Sequence, residues 1–156
     1  MRLGDAGFGP FEAVDPSMVY STGDVTTLTG VSRRQLQWWD ESQVVSPVQY
    51  MRRRLYSQSQ VIEVSLIANL RRKGLSLQKA RGILNAYREF LNASRTRGLS
   101  ARGPDLYLIT DGRKAVFEQS QQEIARIILD SKKPVIGLCI SDLTREIDWL
   151  SVDEPA

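Results

Sequence analysis

The 156-residue chain contains no histidine and only one cysteine, Cys139. Without histidine the commonest general base near neutral pH is missing, and a zinc centre loses its usual nitrogen ligand. One thiol cannot build a disulfide framework, which fits a reducing compartment. Cys139 stands in an apolar segment and reads as a buried core residue rather than a metal or redox sensor. No apolar run approaches the roughly 20 residues needed to cross a bilayer. The first residues lack the basic-then-apolar order of a secretory signal. A cytoplasmic location with no cofactor, no metal and no membrane partner is therefore the expectation. An enzyme is the least expected class. Asp24, Asp40, Glu41 and Asp111 read better as cap, turn and surface residues than as a paired acid and base. There is also no glycine-rich phosphate loop.

What the chain does have is an uneven distribution of charge. Residues 20–97 hold 13 Lys/Arg against 5 Asp/Glu, a net +8, whereas residues 101–156 hold 7 against 10, a net −3. A basic front half and an acidic back half imply a module for a polyanion and a second module with another task. Hydrophobic residues make up 42% of the chain, enough for one compact domain or two small ones.

The basic half carries two short helical patterns joined by a glycine. Ser21 is placed to cap the first, with Asp24 three residues on, where exposed amides favour negative charge. Gly30 ends it, since glycine adopts the left-handed conformation of a sharp turn. Ser32 and Gln35 form a capping box for the second helix, and Val31 and Leu36 occupy the two positions of a hydrophobic staple. Leu36 and Trp39 point to a core, leaving Arg33, Arg34, Gln37 and Trp38 on the outer side. This is how a helix-turn-helix presents one helix to the major groove. Arginine pairs bidentately with guanine and glutamine with adenine. Downstream, residues 44–56 fit a wing: Val44-Val45 and Leu55-Tyr56 as short strands around a basic tip, Arg52-Arg53-Arg54.

Caps and periodicity define the remaining elements. Residues 1–18 show no periodicity and read as a mobile leader, with Met18 as an alternative start. Ser57 and Gln60 open a third helix, running to about Arg72. Gly74 breaks it, and Ser76 caps a fourth. There Leu77, Ala80, Leu84, Tyr87 and Leu91 keep heptad spacing, a seam suited equally to packing within the domain or against a second subunit. A domain over 19–91 is followed by a linker at 92–104. In 105–150, Asp111-Gly112 signals a hairpin between residues 106–110 and 114–118. Ser120 and Glu123 then cap a helix with Ile124, Ile127, Ile128 and Leu129 on an apolar stripe. Residues 134–140 read as a buried strand. Ser141 caps a last helix bearing Leu143, Ile147 and Leu150, and 151–156 is a tail. The fold class expected is α+β: an N-terminal winged helix-turn-helix and a small β-β-α-β-α domain. The latter is a marginal core that calls for a partner, most simply its own copy.

The string Tyr20-Ser21-Thr22-Gly23-Asp24-Val25, Thr29-Gly30-Val31-Ser32 and Leu36-Gln37-Trp38-Trp39-Asp40 resembles the MerR family of bacterial transcriptional regulators. The likeness continues through Pro47, Arg54-Leu55-Tyr56-Ser57, Val61, Leu70-Arg71-Arg72-Lys73-Gly74 and Leu75-Ser76-Leu77, just under half the chain. It implies a winged helix-turn-helix, a homodimer and a palindromic operator on double-stranded DNA. It also implies that Arg54 and Tyr56 meet phosphates while Arg33 and Arg34 face the groove. The interface expected comprises Ser32, Arg33, Arg34, Gln37, Trp38, Arg52, Arg53, Arg54 and Tyr56. The family usually has Arg-Tyr-Tyr or Arg-Tyr-Trp where this chain has Gln37-Trp38-Trp39. Its usual glycine is replaced around Gln43. The wing is slightly short, lacks its glycine and has Gln49 in place of a common arginine, with Arg52 and Arg53 restoring charge. The stretch beginning at Thr110-Asp111-Gly112-Arg113 is similar, over about 40 residues, to MerR-like VapB-type antitoxins. A transcription regulator is thus the leading expectation. An antitoxin whose C-terminal half binds a protein partner, and an excisionase-like architectural DNA binder, are the alternatives.

Overall fold

The computed structural model describes residues 19–96 and 104–152, with side chains for 19–94 and 104–147. The expected leader, Met18, residues 97–103 of the expected linker and the last residues of the tail lie outside the described residues, as does the Leu150 side chain. The chain divides between Ala68 and Asn69 into two compact units. The architecture is α+β, with six helices and two three-stranded antiparallel sheets among the described residues.

The N-terminal unit begins with β1 (Val19–Ser21), α1 (Thr22–Thr29) and α2 (Arg33–Glu41). Ser21 Oγ accepts the Asp24 amide at 3.1 Å, and Asp24 Oδ2 accepts the Ser21 amide at 2.9 Å, closing a capping box. Gly30 has φ 75° and ends α1 with its amide on the Thr26 carbonyl. The buried Thr29 hydroxyl donates to the Val25 carbonyl and accepts the Val31 amide, tying the turn to the helix before it. Ser32 and Gln35 close the second box as the spacing predicts. Val25, Val31, Leu36 and Trp39 are all buried, so the apolar face of each helix is absorbed in the core.

Next come β2 (Val48–Tyr50), β3 (Arg53–Ser57) and α3 (Gln58–Arg72), which crosses the unit boundary. The sheet order is β1-β3-β2. Two expectations change here. Val44 and Val45 are not a strand but buried bends at 2% exposure each. The Val44 amide returns to the Trp39 carbonyl, and Gln43 adopts φ 58°, so the chain is still leaving α2 at that point. The strand starts only after Pro47. The wing tip is the two-residue turn Met51-Arg52, with φ 48° and 65°. The left-handed conformation at both central residues suits the twist of a tight hairpin, even without glycine.

Gly74, at φ 98°, ends α3, and α4 (Leu77–Thr96) follows. The C-terminal unit then adds β4 (Tyr107–Thr110), β5 (Ala115–Glu118), α5 (Gln121–Asp130), β6 (Ile136–Cys139) and α6 (Ile140–Val152), the β-β-α-β-α order expected. Its sheet order is β5-β4-β6, with central β4 holding the buried Leu108, Ile109 and Thr110. α4 packs on this sheet through Tyr87 of its seam and Phe90 beside it: Phe117 of β5 lies 5.9 Å from Tyr87 and stacks at 5.1 Å on Phe90.

Local corrections concern the loops and edges. The β4–β5 loop has four residues, and Asp111 Oδ1 accepts the amides of Arg113 and Lys114, leaving positive φ to Gly112 alone. Ser120 Oγ does accept the Glu123 amide, but Glu123 turns to Arg126, and Glu118 takes the Ser120 amide instead. β6 is half-buried rather than buried, because it is an edge strand with β4 as its partner; Cys139 is half-buried with it. Ser141 Oγ accepts the Leu106 amide rather than capping α6. No residue of α5 is buried, and Ile128 and Leu129 are exposed.

The turn between α1 and α2 makes a stability prediction. Gly30→Ala places a Cβ in the left-handed region and should cost about 1–2 kcal/mol in urea denaturation. Gly82→Ala, inside α4 with nothing within 4 Å of the new Cβ, should be neutral or stabilising by up to about 1 kcal/mol.

Candidate nucleic-acid interface

The chain folds α2 so that its core face is short and its outer face is fully available. Leu36 and Trp39 are 1% and 3% exposed, whereas Ser32, Arg33, Arg34, Gln35, Gln37, Trp38 and Glu41 are all exposed. Trp38 is 53% exposed, an uncommon state for a large aromatic side chain. Ser32, Arg34, Gln35, Gln37, Trp38 and Glu41 line an open depression of about 520 Å³. Within it Gln37 Nε2 donates to Glu41 Oε1 at 2.9 Å, one helical turn on. Among the described residues, no hydrogen bond or ion pair engages the guanidinium groups of Arg33 and Arg34. The face therefore offers charged donors, an amide and an indole, with the two guanidinium groups uncommitted.

The wing supplies a second basic surface. Gln49 pairs with Arg54 and Tyr50 with Arg53 in the β2–β3 register, so Met51 and Arg52 form the tip. Met51, Arg52 and Arg53 are exposed, with Met51 at 79%. Among the described residues, no hydrogen bond or ion pair holds the guanidinium groups of Arg52 and Arg53.

Arg54 and Tyr56 are placed differently from the tip. Arg54 Nε donates to Asp40 Oδ2 at 2.9 Å, with the two side chains 31% and 19% exposed. This half-buried pair ties β3 of the wing to the last turn of α2. The bond uses Nε and leaves the two terminal nitrogens of Arg54 for an outside acceptor, already oriented. Tyr56 is fully buried, and its hydroxyl is enclosed without a partner among the described residues. Burial, reinforced by the Asp40 carboxylate and opposed by Arg54, pushes its pKa up to about 12. In this conformation Tyr56 is a core residue beneath the Asp40–Arg54 pair and presents no atom to a ligand. No sequence signal marks the pair: the two residues lie 14 positions apart, and Asp40 reads locally as a surface acid.

A separate cluster lies in the C-terminal unit. Ligand atoms of Asp105, Cys139 and Asp142 fall within 4.8 Å of one another. Arg145 already neutralises the carboxylates, bonding both oxygens of Asp105 and also Asp142. That contact holds the Asp105 carboxyl below its usual range. The arrangement is a complete ion-pair cluster that fastens the segment before β4 to α6. Among the described residues, no helix is long and apolar enough to cross a membrane.

Residues 20–87 match the family model described as MerR HTH family regulatory protein. The match covers both helices of the helix-turn-helix, the wing, α3 and the first half of α4. No curated protein matches the chain.

The burial of Tyr56 has a measurable consequence. Its folded pKa lies above the unfolded value near 10, so the neutral form is favoured in the fold. Stability from this group is present below pH 10 and is lost as pH rises through about 12. Tyr56→Phe should remove that alkaline loss and, by deleting an unpartnered buried hydroxyl, leave stability at pH 7 unchanged or raised by about 1 kcal/mol. Denaturant titrations between neutral and alkaline pH check both effects.

Proposed function

Since residues 20–87 carry a MerR-family helix-turn-helix, we propose that the chain is a sequence-specific transcription regulator binding a palindromic operator as a homodimer. Arg34, Gln37 and Trp38 of α2 face the major groove, with Ser32 and Arg33 at its edge. Arg52 and Arg53 at the wing tip, and the free nitrogens of Arg54, take phosphates. The observation that carries this reading is the set of unengaged cations on the outer face of α2 and at the wing tip. Four exposed arginines without acidic partners among the described residues are poorly explained as stabilising elements of the unit itself. They suit a polyanion whose counterions they displace.

In this reading the two arginine groups differ in task. Phosphate contacts fix register and are indifferent to sequence, whereas base edges are read from the groove. Tyr56 acts from beneath, as packing under the Asp40–Arg54 pair. Two copies related by a twofold axis would set recognition helices about 34–36 Å apart, one turn of the duplex. We place the contact between copies on α5, which leaves Ile128 and Leu129 exposed.

A gel-shift titration tests the assignment, using a duplex enriched from a random pool by the wild-type chain and a scrambled duplex of equal composition. Arg52→Ala or Arg53→Ala should weaken binding to both alike, with the salt slope reduced by about 1. Arg34→Ala or Gln37→Ala should cost about 1–3 kcal/mol on the enriched duplex and narrow its advantage. Sedimentation of the complex should give two chains per palindrome, and Leu129→Lys should abolish that stoichiometry. Unchanged binding by all four arginine and glutamine variants would overturn the reading.

A further inference from the structure

We propose that Arg33 is a phosphate-positioning residue, and that base reading falls to Arg34, Gln37 and Trp38 without it. This deepens the preceding reading and rests on it. Successive residues of an α-helix point about 100° apart, so the neighbours Arg33 and Arg34 leave α2 in different directions. Arg34 joins Gln37 and Trp38 around the open depression, whereas Arg33 is not among its lining residues.

The Arg33 side chain runs instead to the first turn of α1. Its Nη2 lies 3.0 Å, and its Cζ 4.0 Å, from the point that a Cβ on Gly23 would occupy. Gly23 stands inside a helix, at a backbone conformation open to any L-residue. Alanine would be the better helix former there. A Cβ there would press on the end of the Arg33 side chain, which would have to give way by a few tenths of an ångström. The acid next to it, Asp24, is committed to the Ser21 amide. Among the described residues, Arg33 has no hydrogen-bond or ion-pair partner. The guanidinium is thus parked over α1 without being consumed by it.

That location decides the role. When the second helix of a helix-turn-helix enters the groove, the first crosses the sugar–phosphate backbone. A cation laid on the first turn of α1 is carried to that backbone, away from the base edges. It then contributes to affinity and register but not to sequence preference.

The full chain, the enriched duplex and its scrambled counterpart provide the test. Arg33→Ala should weaken binding to both duplexes by the same factor, roughly three- to tenfold. It should also lower the log–log salt slope by about 0.9. Arg33→Lys should restore most of the slope. Gly23→Ala should reproduce part of the loss while keeping or raising the melting temperature, and should add nothing in the Arg33→Ala background. Arg34→Ala, in contrast, should shrink the ratio between the two duplexes. The proposal is overturned if Arg33→Ala narrows that ratio as much as Arg34→Ala does, or leaves affinity for both duplexes unchanged. If the wild-type chain binds neither duplex, the reading of the preceding subsection fails, and this one with it.

Discussion

The Asp40–Arg54 pair is the contact that joins the two surfaces of the proposed interface, the outer face of α2 and the wing. α2 and β3 are separate elements, linked through the buried bends at Val44 and Val45 and a hairpin tipped by two left-handed residues. Besides the buried core they share, a charge-assisted bond of 2.9 Å joins the wing strand to the last turn of α2. Its two partners are about a fifth to a third exposed, so its contribution to stability is modest, about 1 kcal/mol. In the proposed complex its structural contribution is larger, because there a duplex meets helix and wing together. Both charges act on the hydroxyl of the buried Tyr56: Asp40 raises its pKa and Arg54 lowers it.

The C-terminal unit has its own logic. A three-stranded sheet of about a dozen residues cannot bury much by itself. α4 completes it, laying Tyr87 and Phe90 on Phe117. The heptad seam, which suits an intersubunit coil equally well in the sequence, is therefore used at least partly within the chain. The opposite situation holds for α5, where Ile128 and Leu129 remain exposed. Much of the acidic charge of this half is absorbed by internal ion pairs, with Arg145 between Asp105 and Asp142 and Arg126 between Glu123 and Asp130. Among the described residues, the arginines of the basic half at the helix face and wing tip are unengaged.

Legible in the sequence was whatever is encoded over three or four residues. The boxes at Ser21 and Ser32, the left-handed Gly30, the buried Leu36 and Trp39, and the β-β-α-β-α order all have signals of that range. The strand β1 was not legible, since three residues cannot display alternation, and its partner β3 lies far along the chain, with Tyr20 opposite Tyr56. Val44-Val45 looks like a strand because two β-branched residues fit a strand and a buried bend equally well. The interface was half legible. Exposure of Arg33, Arg34, Gln37, Trp38, Arg52 and Arg53 is a consequence of helix and hairpin periodicity. The burial of Tyr56, the bond from Arg54 to Asp40 and the turn of Arg33 onto Gly23 depend on tertiary neighbours, and no window of sequence contains them.

If an acid in the DNA-facing unit serves binding by holding the wing in place, the sign of one substitution separates that role from simple electrostatics. Asp40→Ala removes a negative charge beside a polyanion, so charge alone would strengthen binding. Loss of the wing's anchor predicts the reverse: weaker affinity of the full-length chain for its enriched duplex in a gel-shift titration. It also predicts that Asp40→Ala and Arg54→Ala are less than additive when combined. Equal or tighter binding by Asp40→Ala would contradict the anchoring role.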